Sequence, residues 1–124
     1  MNSIDLAFTS ALDQAEMIRK REVSPLELVQ LYLERIQKLD AQLGSYYTVA
    51  AEMALADAKA KTEQLANRED ISGLPPFFGV PTAIKDLNCV AGLPCTYGSQ
   101  VLKDRIATYD DGVVARMKAA GLII

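Results

Sequence analysis

Apolar residues recur every three or four positions through the first half of the chain, the spacing of one helix face, and the recurrence stops near residue 67. Phe8, Leu12, Ala15 and Ile18 form the first such series, and Ser10 followed by Asp13 offers an N-terminal capping pair. A stronger start lies at Ser24-Pro25-Leu26-Glu27. The serine can cap free amides, the proline stands where its missing N–H costs nothing, and the glutamate completes a capping box. Leu28, Tyr32, Ile36, Leu39 and Leu43 then mark one face, and Gly44 tolerates the positive φ of a helix stop. The pattern predicts helices over 10–21 and 25–41. Ser45-Tyr46-Tyr47-Thr48-Val49 is rich in β-formers and reads as a short extended segment. Residues 50–66 offer Ala51, Ala54, Leu55, Ala58 and Leu65 for a helix face, and alanine's high intrinsic propensity predicts a third helix there.

From Asn67 onward prolines and glycines replace this periodicity. Pro75-Pro76 forces extended backbone, Gly79 to Ile84 reads as a short strand, and residues 86–98 read as loop. A further helix is predicted over 112–120, capped by Asp110 or Asp111, made apolar by Val113, Val114 and Met117, and ended by Gly121. Leu122-Ile123-Ile124 then reads as the opening of a buried parallel strand after an αβ turn, with a frayed apolar tail or short edge strand as the alternative. The expected fold class is therefore α/β. Residues 1–124 are expected to form one incomplete domain, helical over 1–66, strand and loop over 67–109, helix and start of a strand over 110–124.

Composition narrows the function classes. A chain of 124 residues, half of them apolar and 23% charged, can bury one modest core and is not disordered. Thirteen basic against 16 acidic residues give a net charge of −3, which argues against direct nucleic-acid binding. The sequence has no histidine, which excludes imidazole metal sites and any Ser-His-Asp or Cys-His machinery within this chain. Cys89 and Cys95 lie too far apart for a CxxC motif; a disulfide between them is geometrically allowed, though nothing else suggests a secreted scaffold. Asp5 near the start, without a basic and apolar leader, argues against a signal peptide, and the apolar runs are far shorter than a membrane span. A cytoplasmic location with no membrane association is expected, and neither a metal nor a cofactor.

Candidate chemistry is densest at Phe78-Gly79-Val80-Pro81-Thr82-Ala83-Ile84-Lys85-Asp86. In a strand, Pro81, Ala83 and Lys85 share one face, so Lys85 arrives at the end of a small, apolar surface, an awkward place for a merely solubilising lysine. Strand C-terminal ends are common ligand sites in open α/β folds. An amine working as a base near neutral pH must come down from about 10.4, and burial can achieve this unless a carboxylate opposes it. Asp86 points to the opposite face if the strand continues, leaving Lys85 free to accept a proton from a hydroxyl nucleophile. The alternative is a lysine paired with solvent or with Asp86. A second cluster, Val90-Ala91-Gly92-Leu93-Pro94-Cys95-Thr96-Tyr97-Gly98-Ser99, fits neither a Walker A loop nor a dinucleotide fingerprint, and its hydroxyls read first as turn or cap groups.

These two clusters, in this order, resemble the N-terminal portion of the amidase signature family. The Ser24-Pro25-Leu26-Glu27-Leu28 helix start, the alanine-rich segment and the run from Asp111 to Gly121 follow the same family order, so the resemblance covers roughly residues 5–124. It implies an α/β/α fold around a central mixed sheet and hydrolysis of a carboxamide by a Ser–cis-Ser–Lys set. On that likeness Lys85 is the catalytic lysine, taking a proton through the bridging serine while the nucleophilic serine forms an acyl-enzyme. The family's Gly/Ser-rich segment, which carries both serines and much of the oxyanion hole, lies downstream of the matched residues. Ser99 corresponds to the preceding Gly-Ser loop and not to the nucleophile, and Cys95 stands where threonine is common. The 124-residue chain alone is expected to be inactive. Its expected partners are a small-molecule amide in the full-length enzyme and the missing remainder or a second copy. Two further readings stand beside the free-standing amidase: a noncatalytic remnant or assembly fragment, and the A subunit of a glutamyl-tRNA(Gln) amidotransferase.

Overall fold

The computed structural model describes residues 2–124. Among them the regular elements are helical: α1 (Ser3–Ala7), α2 (Ala11–Arg19), α3 (Pro25–Leu43), α4 (Ala51–Ala66), a 3-10 turn at Gln100–Leu102, and α5 (Gly112–Ala119). The local signals are used as their chemistry dictates. Ser10 accepts from the Asp13 amide to start α2. At α3, Ser24 Oγ accepts from the Glu27 amide at 3.1 Å while the Ser24 amide donates to Glu27 Oε2 at 2.8 Å, a reciprocal box followed by Pro25. The Ser24 amide first, then the Ser24 hydroxyl, which also donates to Glu27 Oε2 at 2.8 Å, hold the Glu27 carboxyl below its ordinary range. Gly44 closes α3 in the left-handed region at φ 60°.

Helices α3 and α4 pack together, with Leu26 donating its amide to Thr62 Oγ1. Val29 and Ala58 from this pair form a small core with Ile123. The larger core joins Ala15 and Ile18 of α2 to Val23, Leu28, Leu65, Leu74, Phe78 and Val80. Arg19 at the end of α2 ties the proline-rich segment to it, and Arg21 just beyond the helix holds the chain that leaves α4. The Arg19 guanidinium donates to the carbonyls of Pro75 at 2.7 Å and Pro76 at 3.0 Å, and Arg21 donates to that of Arg68 at 2.6 Å. Pro75 and Pro76 have no N–H to offer a ladder, so a side chain does the anchoring.

The structure departs from the sequence expectations in several places. Strands are absent among the described residues, so the expected central mixed sheet of the α/β fold is not formed here. In its place are two isolated bridges, Pro81 with Ile123 in parallel and Pro94 with Ile106 in antiparallel. Around the first, Ile123 donates to Val80, Thr82 donates to Ile123, and Gly79 donates to Gly121. Residues 79–82 and 121–123 therefore meet with the expected parallel sense, but beyond Thr82 no strand lies alongside among the described residues. Gly121, at φ +98°, lets the chain cross tightly: a Cβ there would stand 2.6 Å from Phe78 Cα. Ser45 to Val49 is not extended pairing either, because Asp40 Oδ1 captures the amides of Ser45 and Tyr46 and bends the chain. Phe8 and Leu12, expected on an apolar face, are 76% and 71% exposed, and Leu43 at the end of the α3 stripe is 67% exposed. The five-residue α1 lies outside the helices that the pattern predicts; it is started by Asn2 Oδ1, which accepts from the amides of Ile4 and Asp5.

Candidate active site

The segment that follows the Pro81 bridge forms one wall of a cleft of about 500 Å³. Val29, Leu33 and Ile36 of α3 line the opposite side, and Ile123 and Ile124 contribute its floor. Lys85 and Asp86 stand together on the cleft wall. The sheltered amine expected from strand alternation is not found: Lys85 is exposed, because the wall continues past Thr82 without a covering strand among the described residues. Among the described residues Lys85 forms no ion pair.

Asp86 is engaged elsewhere. Its Oδ1 accepts from the Thr96 amide at 2.8 Å, and its Oδ2 accepts from Thr96 Oγ1–H. Thr96 is completely buried and its Oγ1 also accepts from the Gly98 amide at 3.2 Å. Burial pushes the Asp86 carboxyl up, but the Thr96 hydroxyl and amide, with the amides of Gly98 and Tyr97, outweigh it and hold the carboxyl below its usual range. The sequence separates these partners by ten positions, so its local pattern shows Asp86 only as a neighbour of Lys85 and Thr96 only as a turn hydroxyl.

The loop between them is closed by a disulfide. Cys89 and Cys95 are both fully buried and bonded, with their Cα atoms 5.4 Å apart, and Ala107 packs against them. The two acids expected to cap α5 instead pin this loop. Asp111 Oδ2 accepts from the Cys89 amide at 2.7 Å, and Asp110 Oδ1 accepts from the Ala91 amide at 2.8 Å. Asp110 also meets Lys118 at 2.9 Å, and that cation first, then the Ala91 amide, holds its carboxyl below the ordinary range. Asp111 occupies the N-cap position of α5 without a side-chain cap bond. Outside the cleft, Ser99 precedes the 3-10 turn and donates its amide to the Thr96 carbonyl, and neither Ser99, Thr96 nor Cys95 reaches the cleft lining. The site thus gathers Lys85 and Asp86 on the wall and keeps the loop hydroxyls and sulfurs behind it. As chemistry, this supplies an accessible amine on a partly apolar cleft, with its neighbouring carboxylate directed into the loop. Among the described residues no group of three or more Cys, Asp or Glu side chains could hold a metal ion, and no helix is long and apolar enough to cross a membrane.

Sequence and structural comparisons agree on the family. The family model described as Amidase matches residues 27–124. A putative amidase of Synechocystis is 58% identical over 120 residues, covering 97% of this chain and 24% of that protein. The A subunit of the glutamyl-tRNA(Gln) amidotransferase of Methylobacillus flagellatus is 39% identical over 109 residues, covering 88% of this chain and 21% of that protein. A solved structure, described as an unexpected vestigial protein complex that reveals the evolutionary origins of an s-triazine catabolic enzyme, superposes with a TM-score of 0.84. It is 28% identical and covers 93% of this chain and 25% of its own. The chain spans about a quarter of the length of these relatives. With the Lys-Asp wall and Gly-Ser loop inside the matched region, the chain belongs to the amidase signature family.

Proposed function

We propose that this chain is the lysine-bearing N-terminal portion of an amidase, and that Lys85 is the general base in a polypeptide of the relatives' length. The supporting observation is the position of Lys85: on the cleft wall, beside a carboxylate already occupied by Thr96, and within the segment that the family model covers. In the reaction, a serine supplied by downstream polypeptide attacks the amide carbon as its proton passes through the bridging cis-serine to the Lys85 amine. The tetrahedral intermediate collapses with C–N cleavage, the departing amine or ammonia receives that proton, and water then releases the acid from the acyl-enzyme. The amine must be unprotonated to begin each cycle, so an Asp86 committed to other donors serves this chemistry. The central mixed sheet of the α/β/α fold belongs to the same proposal, with residues 79–84 and 122–124 as neighbouring parallel members. The two serines of this scheme come from downstream polypeptide, so the 124-residue chain alone is expected to release no ammonia from simple amides. In the longer polypeptide, Lys85→Ala should lower kcat for a small aliphatic or aryl amide by about 10³-fold. Undiminished hydrolysis by that variant would remove Lys85 from the mechanism.

A second reading, the A subunit of a glutamyl-tRNA(Gln) amidotransferase, is favoured by the likeness to the Methylobacillus protein. The two are separated by assaying the longer polypeptide with and without candidate partner chains. Ammonia release from simple amides by the polypeptide alone supports the free-standing amidase, and glutamine-dependent transfer only in company supports the amidotransferase.

A further inference from the structure

Lys85 and Asp86 are adjacent and oppositely charged, yet both carboxylate oxygens of Asp86 are bound by one residue of the facing loop. Thr96 gives its amide to Oδ1 and its hydroxyl to Oδ2. Thr96 itself cannot drift. It is wholly buried, Cys95 beside it is bonded to Cys89, and Asp111 fixes the Cys89 amide from the far side. The Asn88 amide donates to the Lys85 carbonyl at 3.0 Å, so the backbone of Lys85 is held by the same turn. Charge-assisted bonds from buried donors are stronger than an ion pair with an exposed, mobile amine, so the competition for Asp86 goes to Thr96.

We propose that Asp86 is a positioning residue whose capture by Thr96 keeps the Lys85 amine free of an ion pair with its own neighbour. Its importance for catalysis rests on the amidase reading above, whereas the capture is a property of this loop and is tested apart from activity. Loss of the Thr96 hydroxyl removes the donor on Oδ2 and leaves the carboxylate only the amides of Thr96, Gly98 and Tyr97; the released oxygen then turns to the Lys85 ammonium and holds it in the protonated, non-nucleophilic form.

The test is acylation of individual lysines by limiting acetic anhydride, read by peptide mass spectrometry in this chain, with exposed Lys103 as the internal reference. Thr96→Val should slow acylation of Lys85 relative to Lys103 by about tenfold, the effect of one new opposite charge. Thr96→Ser, which keeps the hydroxyl, should react like the parent chain. The double variant Thr96→Val with Asp86→Asn should regain the parent rate, because no carboxylate remains to pair with the amine. A loop that merely collapsed would not recover on losing a second group. Should Thr96→Val fail to fold, Asp86→Glu carries the carboxylate beyond the Thr96 donors and should produce the same slowing. An unchanged Lys85 rate in the folded single variant, or a loss that persists in the double variant, overturns the proposal. Neither result bears on the amidase reading, which stands or falls on hydrolysis by the Lys85→Ala variant.

Discussion

Asp86 shows how a single residue acquires its role from partners that sequence proximity hides. Next to Lys85 it reads as half of an ion pair; in the fold it accepts from the amide and hydroxyl of Thr96. Those bonds stabilise its charged form against the cost of burial, so its carboxyl titrates lower folded than unfolded. A carboxyl shifted this way stabilises the fold above its unfolded value of about 3.9, and that contribution disappears as the pH falls through the lower folded value. The contribution of Asp86 to stability should therefore be level above about pH 5 and decline below it. Urea unfolding of the parent chain and of Asp86→Asn across this range checks the assignment: the variant should be less stable near neutrality and lose less on acidification. Equal pH slopes for the two proteins would show that Asp86 makes no such contribution.

Among the elements, those with local causes were legible in the sequence. The start of α3 needs only Ser24, Pro25 and Glu27, and its stop needs only Gly44, all within a few positions of the turns they shape. The five-residue α1 gives too short a run for periodicity to reveal, and its cap, Asn2, lies outside the series that begins at Phe8. The strand expected at Gly79–Ile84 failed for a different reason: β-formers specify an extended backbone, but pairing requires a neighbour, and here only Ile123 bridges Pro81. Asp110 and Asp111 stand at the correct helix start, yet their carboxylates serve Ala91 and Cys89, about twenty positions upstream, which no local pattern encodes. The same loop depends on the Cys89–Cys95 bond. Closing so short a loop lowers the entropy of the unfolded chain by an amount worth about 2 kcal/mol. Reduction to free thiols should lower unfolding stability by that order, measured by denaturant titration with thiol content quantified in parallel. Identical midpoints for the bonded and fully reduced chains would show that the surrounding hydrogen bonds suffice.

For the molecule as a whole, the candidate site was legible only as far as Lys85 and its surrounding pattern. The cleft is made by α3, the 45–50 segment, Ile123, the 81–86 wall and part of the 88–94 loop, segments that converge only after the chain has folded. Exposure of Lys85 could not be read from alternation, because alternation says which face a side chain shares and not what covers that face. The apolar stripe of α3 makes the same point: Leu28 is fully buried, whereas Leu39 and Leu43 at the other end of the helix are exposed.

The parallel meeting of Pro81 and Ile123 also orders events in time. Parallel segments cannot be joined by a tight hairpin, so this contact waits until the intervening loop and α5 have brought the chain back. Helices α3 and α4 are neighbours along the chain and face no such delay. Pulsed hydrogen exchange during refolding should find amides within α3 protected before those of Thr82 and Ile123; simultaneous protection would contradict this order. The cleft wall that bears Lys85 is then finished only after α3 and α4 have packed, when the two ends of the 81–123 loop have met.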